Sequence, residues 1–139
     1  MSAAFAAGAI VYAKDLDRLA RFYAEVAGLE IVHRVEDHAV LESATFELVV
    51  VAIPAATAAR IVIARPPARR EATAFKLAFP VADLEAARTA AAAAGGAIDP
   101  PAKEWRFQGL RVCDGIDPEG NVIQLREVPA DEADGAGNP

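Results

Sequence analysis

An internal repeat constrains the fold of this chain more than any other feature of its 139 residues. The first copy reads IVYAKDLDRLARFYAEVAGLEIV from Ile10, and the second reads LAFPVADLEAARTAAAAAGGAID from Leu77. Each copy starts with a short apolar segment, continues with an Asp suited to cap a helix, and then carries apolar residues at helical spacing. A Gly suited to a left-handed backbone conformation follows each helix. Two copies of one strand–helix unit are therefore predicted.

The two predicted helices have the same length between their caps, from Asp15 to Gly28 and from Asp83 to Gly96. The first is predicted to bury Leu16, Leu19, Phe22, Tyr23 and Val26, and the alanine-rich second to bury Leu84, Ala87, Ala91 and Ala94. Extended segments are predicted after the first helix at 31–35, 38–43 and 45–52, and after the second at 97–99, 110–116 and 121–128. The chain is thus predicted to be an α+β protein with two tandem βαβββ modules.

The expected boundaries are a first module at 8–53, a linker at 54–75, a second module at 76–128 and a disordered tail at 129–139. The linker contains several prolines and a basic cluster of Arg65, Arg69 and Arg70, with a short helix predicted around 55–60. This cluster is typical of a solvated connection, with a functional basic patch as the alternative.

The composition excludes several classes of function. The net charge is −6 and no block of basic residues is present, which disfavours binding to nucleic acid. No stretch approaches the roughly 20 apolar residues of a membrane-spanning helix. The first ten residues lack the basic region of a secretory signal, and Cys113 is the only cysteine, so no intrachain disulfide is expected. The expected location is a bacterial-type cytoplasm.

The segment Asp117-Pro118-Glu119-Gly120-Asn121 has the residues of a tight turn between two strands. It is followed by VIQLRE and preceded by the strand–helix copy that contains VADLEAA. With KDLDRLARFYAEVAGLEIV, VADLEAARTAAAAAGG and DPEGNVIQLRE, the chain resembles the vicinal oxygen chelate superfamily from Gly8 to Val128. This superfamily includes glyoxalases, bleomycin-resistance proteins and extradiol dioxygenases.

The resemblance implies that the sheets curl into a cleft, with the helices on the convex side. Period-2 alternation in 46–51 separates Phe46, Leu48 and Val50 from Glu47, Val49 and Val51, which lie on the opposite face. Other positions expected to face the cleft are Gly8, Ile10, Tyr12, Lys76, Ala78, Pro80, Val122, Gln124 and Arg126.

The resemblance also locates the four metal-ligand positions of metal-dependent relatives, which here are Gly8, Glu47, Lys76 and Gln124. Glycine has no side-chain donor and a Lys ammonium has no lone pair, so neither a metal nor another cofactor is expected. Lys76 is instead predicted to pair with Glu47, the alternative being that Lys76 lies in solvent. His33 and His38 flank a predicted turn, and their rings are expected to point to opposite faces.

The remaining cleft is predicted to bind a small organic molecule. The candidate ligand-binding residues are Tyr12, Glu47, Lys76, Trp105, Arg111, Cys113 and Gln124. For Trp105 the alternative is a loop residue that packs over the edge of the sheet. The leading hypothesis is metal-independent binding of a drug or aromatic metabolite, and the resemblance implies a homodimer. The alternatives are a lyase, isomerase or dioxygenase relative with a non-standard metal or acid/base site, and an interaction module.

Overall fold

The structure, a computed structural model, describes residues 5–129, which form two βαβββ modules. The first module consists of β1 (Gly8–Ala13), α1 (Leu16–Ala27), β2 (Glu30–Arg34), β3 (His38–Glu42) and β4 (Glu47–Ala52). The second consists of β5 (Leu77–Val81), α3 (Leu84–Ala93), β6 (Ala97–Ile98), β7 (Trp105–Phe107), β8 (Leu110–Ile116) and β9 (Val122–Glu127). A short helix, α2 (Ala55–Ala58), lies in the linker, and a 3₁₀ turn (Pro101–Lys103) precedes β7. The predicted α+β fold is confirmed, whereas residues 130–139 of the predicted disordered tail lie outside the described residues.

Each module forms one mixed sheet. The strand orders are β1-β4-β3-β2 and β5-β9-β8-β6, and β7 pairs with the other end of the same β8 edge as β6. The pairs β1–β4 and β5–β9 are parallel, and the other pairs are antiparallel. The two modules therefore share one topology, as the repeat predicts, and the second adds β7.

Both long helices begin at the predicted aspartates. The Asp15 side chain accepts a hydrogen bond from the Arg18 amide at 3.1 Å, and the Asp83 side chain accepts one from the Glu85 amide at 2.9 Å. Gly28 has the expected left-handed backbone, with φ of 72°.

At the end of α3 the expectation for Gly96 is wrong. The left-handed residue there is Gly95, with φ of 95°, because α3 already ends at Ala93. Glycine is required at position 96 because the backbone of Ile116 lies close to it: a Cβ atom built on Gly96 would lie 2.4 Å from the Ile116 carbonyl oxygen.

The two modules share one hydrophobic core. It contains the predicted apolar stripes of α1 and α3 and the inward residues Leu41, Leu48, Val50, Ile123 and Leu125. Phe79 of the second module lies 5.7 Å from both Tyr23 and Phe46 of the first, measured between ring centres. The helices and one face of each sheet are buried together, and the opposite face of each sheet, here called its open face, is directed away from this core.

The turn at 117–121 joins the modules. Asp117 is fully buried and its carboxylate accepts a hydrogen bond from the Tyr23 hydroxyl at 2.7 Å. Glu119 accepts hydrogen bonds from the amides of Lys14 at 3.0 Å and Asp15 at 2.8 Å, immediately before α1. A segment predicted only as a hairpin turn thus also binds the first helix of the other module.

The linker is held against the second module. Arg69 forms an ion pair with Asp99 at 2.6 Å, and Arg70 donates to the Glu119 carbonyl oxygen at 3.1 Å. Two of the three clustered arginines therefore have structural partners, although Arg70 remains exposed. Throughout residues 5–129, the helices are too short and insufficiently apolar to cross a membrane.

Candidate functional site

The open face of the second sheet collects aromatic, cationic and amide side chains. Strand pairing aligns Gln124 with Asp114 and aligns Arg126 with Val112, which is in turn aligned with Trp105. Because side chains alternate along a strand, these residues share the face opposite the buried Ile123 and Leu125. Lys76, which precedes β5, and Phe107 also reach this face, as their contacts demonstrate.

These side chains are in contact with one another. The Lys76 Nζ lies 2.9 Å from the Asp114 Oδ2 and 6.0 Å from the centre of the Trp105 ring. The guanidinium carbon of Arg126 lies 4.9 Å from the centre of the Phe107 ring, and the Arg126 Nε donates to the Gln124 Oε1 at 2.8 Å. Both aromatic residues remain accessible, with 39% of Trp105 and 44% of Phe107 exposed. The cluster therefore offers an accessible aromatic surface with polar groups fixed beside it.

The predicted pair between Lys76 and Glu47 is wrong. Asp114 on β8 is the partner of Lys76, and only 20% of its side chain is exposed. Glu47 lies on β4 of the other sheet, opposite Gly8. The partner of Lys76 is therefore Asp114 of its own sheet, and not Glu47 of the other module.

Tyr12 and Glu47 belong to the open face of the first sheet. Tyr12 is 64% exposed and its neighbour on that face, Ile10, is 63% exposed. No hydrogen bond, ion pair or ring contact within residues 5–129 joins Tyr12 or Glu47 to the cluster on the second sheet. Of the predicted site residues, the structure brings Lys76, Trp105 and Gln124 to one face and leaves Tyr12 and Glu47 on another.

The prediction that Arg111 and Cys113 line the cleft is wrong. Both lie on the helix side of β8, because Val112 and Asp114 occupy the open face. Arg111 pairs with Glu127 at 3.1 Å and approaches Glu104 at 3.5 Å.

Cys113 is fully buried in the core and donates to the Asp99 carbonyl oxygen at 3.3 Å. Burial raises the pKa of the Cys113 thiol, although Arg88 at 3.7 Å acts in the opposite direction. This environment is that of a structural thiol rather than a nucleophile.

Trp105 lies in a strand and not in a loop. β7 pairs with β8 in the register Trp105–Val112, Arg106–Arg111 and Phe107–Leu110. On the helix side, Glu104 binds Arg88 at 2.7 Å, which anchors the residue before Trp105. The segment that the sequence suggested as cleft-lining is thus fixed in a defined orientation.

Two charged residues of this face, Arg126 and Asp114, are absent from the candidate site residues that the sequence suggests. Arg126 was expected on the cleft face but was not selected as a site residue, although its spacing of two from Gln124 was the signal that could have identified it. Asp114 gives no such signal, because its role depends on the position of Lys76, which lies far away in the sequence and precedes β5.

Comparison with known proteins identifies the fold and the family. The sequence profile of the Glyoxalase-like domain matches residues 8–126. The chain belongs to this family. No curated protein sequence matches this glyoxalase-like chain.

Solved structures resemble the glyoxalase-like chain over most of its length. A glyoxalase/bleomycin resistance protein/dioxygenase family enzyme from Burkholderia phytofirmans PsJN is 19% identical with a TM-score of 0.61, covering 87% of this chain and 96% of its own. A bleomycin resistance determinant encoded on the transposon Tn5 is 20% identical with a TM-score of 0.56, covering 86% and 94%. TioX from Micromonospora sp. ML1 is 20% identical with a TM-score of 0.60, covering 88% and 97%. At these identities the likeness shows the glyoxalase/bleomycin-resistance fold alone.

The metal-ligand positions of this glyoxalase-like chain do not fit a divalent metal. A Cβ atom built on Gly8 would lie 2.5 Å from the Glu47 carbonyl oxygen, so the backbone leaves no room for a ligating side chain there. Lys76 places an ammonium at the second position, where its partner is Asp114. In the described part of the chain, no three His, Cys, Asp or Glu side chains are grouped so that they could hold a metal ion.

The two histidines do not point to opposite faces as expected. The ring centres of His33 and His38 lie 5.5 Å apart, because the two residues sit on paired strands with an irregular register between Ile31 and His33. His38 is also 2.9 Å from the exposed Asp37 carboxylate. An exposed pair of this kind lacks the third ligand that a structural or catalytic zinc site requires.

Proposed function

We propose that this glyoxalase-like protein binds a small organic molecule without a metal, on the open face of the second sheet. The observation that carries the proposal is the contact cluster of Lys76, Trp105, Phe107, Gln124 and Arg126. Small-molecule sites combine apolar and aromatic surface with a few fixed polar groups, and this cluster has both. A drug or an aromatic metabolite matches the exposed indole and phenyl rings.

The test is a titration of the purified protein with neutral aromatic compounds, starting with 2-naphthamide. Trp105 is the only tryptophan, so its fluorescence reports binding directly, and calorimetry gives the dissociation constant for variants that lack it. Trp105→Ala is expected to weaken binding about tenfold, the effect of losing one aromatic contact of about 1.4 kcal/mol.

Phe75→Ala is the matched control, because Phe75 is 86% exposed and lies outside the cluster. Equal dissociation constants for Trp105→Ala and the wild type would contradict the proposed site.

The metal-independent part of the proposal needs a separate measurement. Protein incubated with Ni, Zn, Fe(II) and Mn, then freed of loose ions, is expected to retain close to no metal by elemental mass spectrometry. About one tightly held ion per chain would overturn this part and direct attention to lyase, isomerase or dioxygenase activity. The acid/base alternative assigns that role to Lys76 or Glu47, and Lys76 forms an ion pair with Asp114 at 2.9 Å.

We also propose that a second copy of this chain covers the open face of the first sheet. Ile10 and Tyr12 expose most of their surface there, and burial of such residues stabilises an interface by about 25 cal/mol per Å². Light scattering during size-exclusion chromatography is expected to give the mass of a dimer, and Tyr12→Lys is expected to give a monomer.

Val62→Lys is the control for the added charge, because Val62 is 89% exposed in the linker. A wild-type monomer at all concentrations would contradict the homodimer. The proposed location of this protein is the bacterial cytoplasm.

A further inference from the structure

We infer that the small molecule bound on the open face of the second sheet carries a carboxylate, which Arg126 binds through its terminal guanidinium nitrogens. This inference rests on the proposed function and specifies the chemical class of the ligand. Arg126 is then the residue that determines specificity for charge.

The position of Arg126 is fixed before any ligand binds. Its Nε donates to the Gln124 Oε1 at 2.8 Å, and its guanidinium carbon lies 4.9 Å from the centre of the Phe107 ring. These two contacts use the Nε and one face of the guanidinium group. Within residues 5–129 its two Nη groups have no hydrogen-bond partner, so the part of the guanidinium that matches a carboxylate is free. A planar fork of two donors binds a carboxylate in a bidentate manner.

The charges around Arg126 favour an anion as its partner. Three other partly buried arginines have carboxylate partners, since Arg69 pairs with Asp99, Arg88 with Glu104, and Arg111 with Glu127. Arg126 is also partly buried, yet it pairs with no carboxylate in the described part of the chain.

Asp114, the acid on this face of the sheet, already has a cationic partner. Asp114 lies opposite Gln124 on the paired strand, and its Oδ2 is bound by Lys76 at 2.9 Å. The Asp114–Lys76 pair is therefore close to neutral, and Arg126 contributes a net positive charge to this face.

The aromatic part of the ligand is placed by the strand register. Arg126 on β9, Val112 on β8 and Trp105 on β7 lie in one row across the sheet. Neighbouring strands are about 4.8 Å apart, so Arg126 and Trp105 are separated by about 10 Å. A carboxylate attached to a planar system of two fused rings spans this distance, with its ring body over Val112 and against the Trp105 indole. A planar aromatic carboxylate can therefore bind Arg126 with its carboxylate and contact Trp105 with its rings.

The test compares 2-naphthoate with 2-naphthamide, which have nearly the same shape and differ in charge. Calorimetry on the wild-type protein is expected to give a dissociation constant about tenfold or more lower for the carboxylate, as for other charge-assisted hydrogen bonds. Arg126→Gln is expected to remove most of this difference, because it weakens the binding of 2-naphthoate far more than the binding of 2-naphthamide. Arg126→Lys, which keeps the charge and loses the fork, is expected to give an intermediate ratio.

Arg106→Gln is the matched control. Arg106 is the neighbour of Trp105 on β7 but lies on the opposite face, where its Nη1 donates to the Gly109 carbonyl oxygen at 3.2 Å. It is expected to preserve the wild-type ratio. The melting temperature of each variant establishes that it is folded before binding is measured.

The outcomes separate this inference from the proposed function. Equal affinity for the two compounds in the wild type would overturn the inference while the proposed binding face stands. A carboxylate preference that persists in Arg126→Gln would overturn the role of Arg126. Absence of binding by either compound would overturn the inference, and absence of binding across the neutral aromatic panel as well would also overturn the proposed function.

Discussion

At the scale of single residues, the partner of Lys76 determines what its charge does. Asp114 is mostly buried and has an oxygen, Oδ1, that finds no hydrogen-bond partner within residues 5–129. Its Oδ2 depends on Lys76. A buried carboxylate that loses its only cationic partner is destabilising, because the desolvation cost remains and the attraction is lost. Lys76 therefore stabilises Asp114 rather than replacing a metal ion.

A double-mutant cycle measures this pair. Lys76→Met is expected to lower the free energy of unfolding by about 1 kcal/mol, a value reduced by the partial exposure of Lys76. In the Asp114→Asn background the same substitution is expected to cost much less, and in the Glu47→Gln background it is expected to cost the same as in the wild type. Urea unfolding at neutral pH provides the measurement. Coupling to Glu47 instead of Asp114 would contradict the observed pair.

Tyr23 and Asp117 form a buried polar pair that spans both modules. Burial raises the pKa of Tyr23 well above its ordinary value of 10.0, and the neighbouring Asp117 carboxylate raises it further. Burial also raises the pKa of Asp117, against hydrogen bonds from Tyr23 and Asn121 that lower it. The Tyr23 hydroxyl therefore retains its proton in the folded chain at pH values where the unfolded chain has lost it.

This pair predicts how stability changes in alkaline solution. The pKa of Tyr23 is higher in the folded chain than in the unfolded chain, so the contribution of Tyr23 to the free energy of unfolding is fully present below about pH 10. This contribution is lost as pH rises through the folded pKa, at up to about 1.4 kcal/mol per pH unit. Tyr23→Phe is expected to cost about 1–2 kcal/mol at pH 7, because Asp117 loses a hydrogen-bond donor. Its stability is then expected to fall less steeply than that of the wild type above pH 10. Parallel profiles from urea unfolding at pH 7 to 11 would contradict this assignment.

At the scale of secondary-structure elements, the sequence predicts the helices and strands in which apolar residues recur with a clear period. The stripes of α1 and α3 and the alternation in β4 lead directly to the observed elements, because one face of each is apolar and the other is polar. β8 has no such contrast, since Val112 on the open face and Cys113 on the helix side are both fully buried. The faces of Arg111 and Cys113 therefore could not be read from the sequence. β7 has three residues and exists through its pairing with β8, so it was equally invisible.

The turn at 117–121 could be predicted as a turn but not as a junction. Its backbone conformation depends on Pro118 and Gly120, which are visible in the sequence, and Gly120 has a φ of 89°. Its contacts with Lys14 and Asp15 depend on the arrangement of the two modules, which no local pattern encodes. The same limit explains why Asp114 was not recognised as the partner of Lys76.

The junction predicts an effect of Glu119 on stability. Glu119→Ala is expected to cost about 1.5–3 kcal/mol, because its carboxylate accepts from two backbone amides at the start of α1 and only 5% of the residue is exposed. Glu119→Gln is expected to recover part of this loss, since one oxygen remains. Glu25→Gln is the control, because its pair with Arg21 is exposed and contributes less than about 1 kcal/mol. Urea midpoints that are the same for Glu119→Ala and Glu25→Gln would contradict the junction.

At the scale of the whole molecule, the shared core makes the two modules one cooperative unit. Phe79 contacts Tyr23 and Phe46, Asp117 binds Tyr23, and Glu119 binds the start of α1. Each module alone would expose these groups. The repeat in the sequence is therefore a repeat of topology and not of independently stable domains.

Cooperativity is tested by a substitution in one module and a fluorescence signal from the other module. Leu48→Ala removes a fully buried side chain of the first module and is expected to cost about 2–5 kcal/mol. Trp105 reports on the second module, so its fluorescence transition in urea is expected to shift to the same lower midpoint as the circular dichroism signal of the whole chain. Val62→Ala, at an exposed position of the linker, is expected to leave both midpoints unchanged. A Trp105 transition that stays at the wild-type midpoint while circular dichroism reports earlier unfolding would mean that the modules unfold separately, because the contacts across the core would then be too weak to couple them.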